Sequence, residues 1–210
     1  MTKGQRGIHI MWRLSQEGLL CFGPHQGKEP TFTLLSEWVP SAKSKPRDES
    51  IVIITERYFT SHGPATKQDF MWWSGLTSKD ANVGLEAIRS KLISEHYEGH
   101  EYWMPKDVAA PSANTAFLLP GFDEYVLGYK DRSAAIDSDH GQKIIPGNNG
   151  MFLATIVING KIEGLWKKIP RSKSLKLTLH PFVRLDEEQL TALADVIGHY
   201  ATFQGMPVTQ

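Results

Sequence analysis

The sequence predicts an α+β fold: a helix-turn-helix unit with a two-stranded wing, followed by a β-rich, barrel-like domain with a carboxy-terminal helix. Three observations predict it. Three short helical patterns succeed one another between residues 50 and 92, with start or stop signals of their own. A tight Glu98-Gly99 turn between apolar runs follows, and an Asn159-Gly160 turn of the same kind lies in the second half.

Taken in order, residues 5 to 17 set Ile8, Met11 and Leu14 three apart on one helical face, with Gly18 as the stop. The runs Leu19–Phe22 and Thr31–Leu35 flank Gly23-Pro24-His25-Gln26-Gly27 and read as a hairpin. Helix then hairpin is half of a winged helix, whose apolar faces need two earlier helices to cover them. Seven residues precede Ile8, so residues 1–40 are expected to be the last helix and wing of a module. Trp38 to Pro46 reads as a linker.

From residue 48 the pattern runs in full. Ile51, Ile54, Tyr58 and Phe59 line a first helix, which His62-Gly63-Pro64 ends. Thr66, with Asp69 three residues on, caps a second helix through Phe70, Trp72 and Trp73, and Gly75 stops it. Thr77 with Asp80 caps a third, which turns Ala81, Leu85, Ile88 and Leu92 inward. The runs Ile93–Tyr97 and His100–Trp103 form the wing, so residues 48–104 are expected to be a complete winged-helix domain.

Lys106 to Asn114, rich in Pro, Ala and Ser, marks the next boundary, and residues 115–210 form the last domain. Phe122–Tyr129 reads as a short helix or turn. Strands are expected over Phe152–Ile158, Ile162–Ile169 and Leu175–Phe182. A helix opening at Leu185 carries Leu190, Leu193, Ala194, Ile197, Tyr200 and Phe203, and either packs across the sheet or closes one end of a barrel.

Composition narrows the function classes. No apolar stretch approaches the roughly 20 residues a membrane span needs, the amino terminus has no secretory h-region, and the single cysteine, Cys21, allows no internal disulfide. A cytoplasmic protein is expected. Formal net charge is zero, yet between Lys130 and Arg184 ten basic residues face four acidic ones. That excess is either a phosphate-tracking surface or a solvated strand face. Gly-rich phosphate loops, HExxH and GxSxG are absent, and His96, Glu98 and His100 lack a further ligand cluster. No metal and no cofactor is expected.

Three blocks resemble one known family. Arg57-Tyr-Phe-Thr-Ser-His-Gly-Pro-Ala-Thr-Lys-Gln-Asp-Phe-Met-Trp-Trp-Ser-Gly-Leu76 is similar to the third winged-helix module of the AlkZ/YcaQ-type DNA glycosylase family. Leu118-Leu-Pro-Gly-Phe-Asp-Glu-Tyr-Val-Leu-Gly-Tyr-Lys-Asp-Arg-Ser133 resembles its signature before the β-barrel, and Gly18-Leu-Leu-Cys-Phe-Gly-Pro24 the wing of its second module. The resemblance implies tandem winged helices around a barrel-like domain, a concave surface for duplex DNA, and excision of alkylated or crosslinked bases. The family's catalysis depends on a Gln-X-Gln or Gln-X-Asp element. No glutamine of this sequence is followed two residues later by Gln or Asp, so no catalytic residue is assigned and the chain alone is expected to be inactive.

The expected partner is double-stranded DNA. The third helix exposes Lys79, Asn82, Glu86 and Arg89, either for phosphates and a base edge or as an ordinary solvated face. Lys130, Arg132, Lys143, Lys167 and Lys168 form a second set beside the loop Pro146–Gly150. In that loop Asn148 and Asn149 either probe a minor groove or belong to a plain surface turn. Asp123 and Glu124 read as a turn cap or partners of Arg132 rather than an acid–base pair, and Phe70, Trp72 and Trp73 as core, with one Trp turned toward the neighbouring domain. The function expected is DNA binding of the alkylation-repair type; the alternative is a non-catalytic transcriptional regulator or accessory DNA-binding protein.

Overall fold

The computed structural model describes residues 6–41, 43–109, 112 and 114–209, and the chain separates into two compact units, 1–49 and 50–210. In the first, α1 (Arg6–Gln16) ends where Gly18 takes φ +72°, and the Leu19 N–H returns to the Leu14 carbonyl at 2.9 Å. β1 (Leu20–Phe22) and β2 (Phe32–Leu34) pair antiparallel. A short helix, α2 (Leu35–Trp38), follows directly, so the linker begins later than the sequence reading places it. None of this unit's described side chains is buried.

In the second unit, α3 (Arg47–His62) begins at the unit boundary and turns Ile51, Thr55, Tyr58 and Phe59 inward. β3 (Ala65–Thr66) leads into α4 (Lys67–Ser74). The Thr66 hydroxyl accepts the Asp69 N–H at 3.1 Å while the Asp69 carboxylate accepts the Thr66 N–H at 2.9 Å, which satisfies two otherwise orphaned donors of the helix start. Gly75, at φ +70°, closes α4. α5 (Ser78–Ile88) is capped by Thr77, whose hydroxyl accepts the Asp80 N–H. Gly84 lies where α5 meets α3, and a Cβ there would stand 2.0 Å from Thr55 Oγ1.

A 3-10 turn then gives way to β4 (Leu92–Tyr97) and β5 (His100–Pro105), paired around Glu98 and Gly99, both at positive φ as a two-residue hairpin turn requires. β3 adds to the far side of β5, giving the order β3-β5-β4. Tyr58, Phe59, Phe70, Ala81, Leu85 and Ile88 are buried together beneath this sheet and its helices. Each large apolar side chain so buried contributes roughly 1.5–3 kcal/mol.

The remainder comprises β6 (Ala116–Leu119), α6 (Glu124–Leu127), α7 (Gly141–Ile144), β7 (Thr155–Ile158), β8 (Lys161–Pro170), β9 (Leu175–Pro181), α8 (Glu187–Gln204) and β10 (Val208–Thr209). The strands lie in the order β10-β9-β8-β7-β6, antiparallel except for β10 beside β9. The expected barrel-like domain is a half-barrel sheet. Its order is linear, its outer strands are β6 and a two-residue β10, and α8 packs against β6. Asp186 and Gln189 cap α8 reciprocally, and its Leu193 and Ile197 cover Ile156, Trp166 and Leu177 on one sheet face. On the other face Val157 and Ile162 pack against Val126 and Ile144. Among the described residues no helix is long and apolar enough to cross a membrane.

Candidate nucleic-acid interface

Burial of Ala81, Leu85 and Ile88 leaves the opposite face of α5 to solvent, and Lys79, Asn82, Glu86 and Arg89 all stand on it. Arg89 lies over the Trp103 ring at 5.8 Å and reaches Glu86 at 3.4 Å, an exposed pair that contributes little. Asn82 Oδ1 accepts from Lys67 Nζ at 3.0 Å, which leaves the amide Nδ2 as that side chain's hydrogen-bond donor. A depression of about 380 Å³ runs between α5 and the β4–β5 hairpin, bordered by Lys67, Gln68, Asn82, Arg89, His100 and Trp103. Lys67 and Gln68 are not among the residues the sequence assigns to DNA contact, and His100 is weighed there only as a metal ligand. The Thr66–Asp69 cap is the signal that places Lys67 and Gln68 in the first turn of α4.

Lys130 sits in an adjoining depression that shares Gln68 and His100 with the first. Its side chain is exposed, and its backbone N–H donates to Asp69 Oδ1 at 2.9 Å, as does that of Asp131 at 3.1 Å. The buried Asp69 carboxylate therefore joins the cap of α4 to the loop after α6.

The other expected residues are not gathered there. Arg132 turns inward: its Nε donates to the Val126 carbonyl at 2.6 Å, and its guanidinium lies 5.3 Å from the centre of Phe152 and 5.8 Å from that of Trp72. Burial lowers its pKa, with Asp69 opposing the shift. Lys143 is exposed, 4.7 Å above the Phe182 ring. Asn149 is exposed while its Oδ1 accepts the Met151 N–H at 2.9 Å; the Asn148 side chain lies outside the described residues. Lys167 and Lys168 are both exposed on β8, opposite Thr178 and Leu177 of β9, and strand pleat sends them to opposite faces of the sheet.

A second, larger cleft of about 1050 Å³ lies where α3 and α6 meet β6 and β7. Asp123 caps α6 through the Tyr125 N–H, as one of its two expected roles required. Glu124 does not pair with Arg132: its Oε2 accepts from Trp73 Nε1 at 2.9 Å and lies 3.4 Å from His62 Nε2. Trp73 is thus the tryptophan turned toward the neighbouring elements, and Trp72 is 55% exposed. Tyr58 and Tyr129 donate to the Gly128 and His62 carbonyls, which ties α3 to the same loop. Burial, with smaller contributions from Tyr125, Asp69 and Glu124, pushes the Tyr129 pKa up to about 12, so its phenol stays neutral.

Helices packed against hairpins, joined to a half-barrel sheet, are the architecture of a known DNA glycosylase structure. The fold aligns with the Streptomyces sahachiroi DNA glycosylase AlkZ at a TM-score of 0.74 and 23% identity, over 98% of this chain and 61% of that one. The profile of the DNA glycosylase AlkZ-like family matches residues 1–203, and the chain belongs to that family. It is also 24% identical, over 218 aligned residues, to the "Interstrand DNA cross-link repair glycosylase" of Streptomyces sahachiroi. That alignment covers 94% of this chain, which spans about half, 55%, of the relative's length.

Proposed function

We propose that this chain holds duplex DNA for base-excision repair, with residues 48–104 acting as a winged helix, α5 as its recognition helix and β4–β5 as its wing. Residues 1–40 and 115–210 are read as two further domains. The observation that carries the proposal is the bared face of α5: Lys79, Asn82 and Arg89 stand on it, and Asn82 and Arg89 border a groove that Lys67, His100, Glu86 and Glu101 also line. The cations neutralise phosphates, and Asn82 Nδ2 donates to an acceptor on a base edge, which favours purine N7 or guanine O6 over an amino group. Lys130 adds a further cation in the adjoining depression, which Asp69 and Asp131 also line. Lys143, Asn149 and one of Lys167 or Lys168 supply the contact from the sheet.

The substrate class follows the relative's printed name: duplex carrying an interstrand crosslink. No glutamine here is followed two residues later by Gln or Asp, so the chain by itself is proposed to bind such DNA without releasing base. Fluorescence anisotropy with intact, alkylated and crosslinked duplexes over a salt series tests this. Affinity that falls steeply with salt and favours modified duplex supports it. Salt-independent affinity or no binding contradicts it, and a footprint restricted to one short unmodified sequence supports the regulator instead.

A further inference from the structure

Two large aromatic side chains stand half exposed at the ends of a short row. Trp72 of α4 is 55% exposed, and Phe122, in the turn before α6, is 49% exposed. Between them lie the Arg132 guanidinium, 5.8 Å from the centre of the Trp72 ring, and Phe152, which is 5.3 Å from that guanidinium and 6.0 Å from Phe122. Burial does not explain the placing of Phe122. Its φ is +59°, in the left-handed region that is strained for a bulky side chain. The turn holds it there: a Cβ on Gly121 would meet the Phe152 carbonyl at 2.7 Å, and Asp123 caps α6 through the Tyr125 N–H. Arg132 is fixed as well, its Nε donating to the Val126 carbonyl at 2.6 Å while its buried Nη2 finds no acceptor among the described residues.

A strained residue whose ring is left half bare is placed for what approaches it. The chemistry of the row narrows the visitor. The apolar face of a partner protein calls for a continuous apolar patch, whereas here a guanidinium separates Trp72 from Phe152. Flat rings taken one at a time suit it better. Any base can stack on an aromatic face whatever its hydrogen-bonding edge, and rings already held in place lose little freedom when it does. Bases inside an intact duplex present their edges in the grooves, so only unpaired bases qualify. Lys130, exposed two positions before Arg132, supplies a cation for the phosphates of the same strand. We propose that Phe122 and Trp72 form a stacking platform for unpaired bases of a nucleic-acid strand. The proposal rests on the reading that this chain holds DNA, and adds that it recognises places where base pairing is broken.

Fluorescence anisotropy of the whole chain with a short, fully paired duplex and with the same duplex carrying an adenine bulge tests the inference. The bulged duplex is expected to bind about tenfold tighter, the size of one base stacked on an aromatic ring. Phe122→Ala should remove that preference, Phe122→Tyr should keep it and Trp72→Ala should reduce it, all with the affinity for paired duplex unchanged. A 2-aminopurine placed in the bulge should lose fluorescence on the unsubstituted chain and not on Phe122→Ala. Phe122→Gly, which suits the left-handed backbone, should melt no lower than the unsubstituted chain. A midpoint lowered by more than about 4 °C would make Phe122 a packing residue. That result, equal affinities for the two duplexes, absence of binding to the bulged duplex, or a preference that survives Phe122→Ala overturns the proposal. If the bulged duplex binds and the paired one does not, the platform stands and the hold of α5 on duplex DNA does not.

Discussion

Asp69 Oδ1 accepts the backbone N–H of Lys130 at 2.9 Å, across 61 positions of chain, while the same carboxylate caps α4 through Thr66. One buried side chain thus fixes both the start of a helix and the loop that carries Lys130. Asp69→Ala should cost about 2–4 kcal/mol, since it removes a cap and strands buried donors. Thr77→Ala, which removes a cap alone, should cost about 1 kcal/mol. Urea unfolding of the two variants checks the order; equal losses would show that the link to Lys130 contributes nothing.

Gly84→Ala in α5 should destabilise, although alanine ordinarily gains about 1 kcal/mol over glycine inside a helix. The new Cβ would meet Thr55 Oγ1 at 2.0 Å and Thr55 Cβ at 2.9 Å, and the buried, β-branched Thr55 has no room to retreat. Adding Thr55→Ala should restore part of the loss in thermal melts. A more stable Gly84→Ala single variant would refute the packing described.

Lys167→Glu and Lys168→Glu should weaken duplex binding unequally, because the two side chains leave opposite faces of β8. The one facing DNA should cost about one unit of salt slope and the other close to none. Equal losses in anisotropy titrations would place both on the path of the phosphates.

Stability should fall in alkali between about pH 10 and 12. The Tyr129 pKa is raised from 10.0 to about 12, chiefly by burial, so its stabilising contribution is complete below the unfolded value and disappears as pH rises through the folded one. Denaturant midpoints measured across that window check it. Burial also raises the Tyr58 and Tyr125 pKa values, so Tyr129→Phe should lessen the decline without abolishing it, and an unchanged slope would exclude Tyr129 as a source.

Features whose causes are local were readable from sequence. The Thr66 and Thr77 caps, the Gly75 stop and the Glu98-Gly99 and Asn159-Gly160 turns each depend on a few neighbouring residues, and each stands where its residues predict. What escaped depends on distant partners. β6 is only four residues long and gains its identity from β7, nearly forty positions on. Arg132 reads as a cation for DNA or as a partner of Asp123 or Glu124, yet the Val126 carbonyl and the faces of Phe152 and Trp72 hold it inward. The exposed face of α5 was legible through its apolar spacing, whereas its neighbours Lys67 and His100 come from other elements.

The proposed hold on duplex DNA rests on α5. Lys79→Glu with Arg89→Glu should weaken binding to short duplex DNA by about tenfold or more and lower the salt slope by roughly two, while Lys106→Glu, an exposed cation beyond β5, should change little. A double variant that binds as tightly as the unsubstituted chain, with the same salt slope, would contradict the assignment of α5 as the helix that meets DNA.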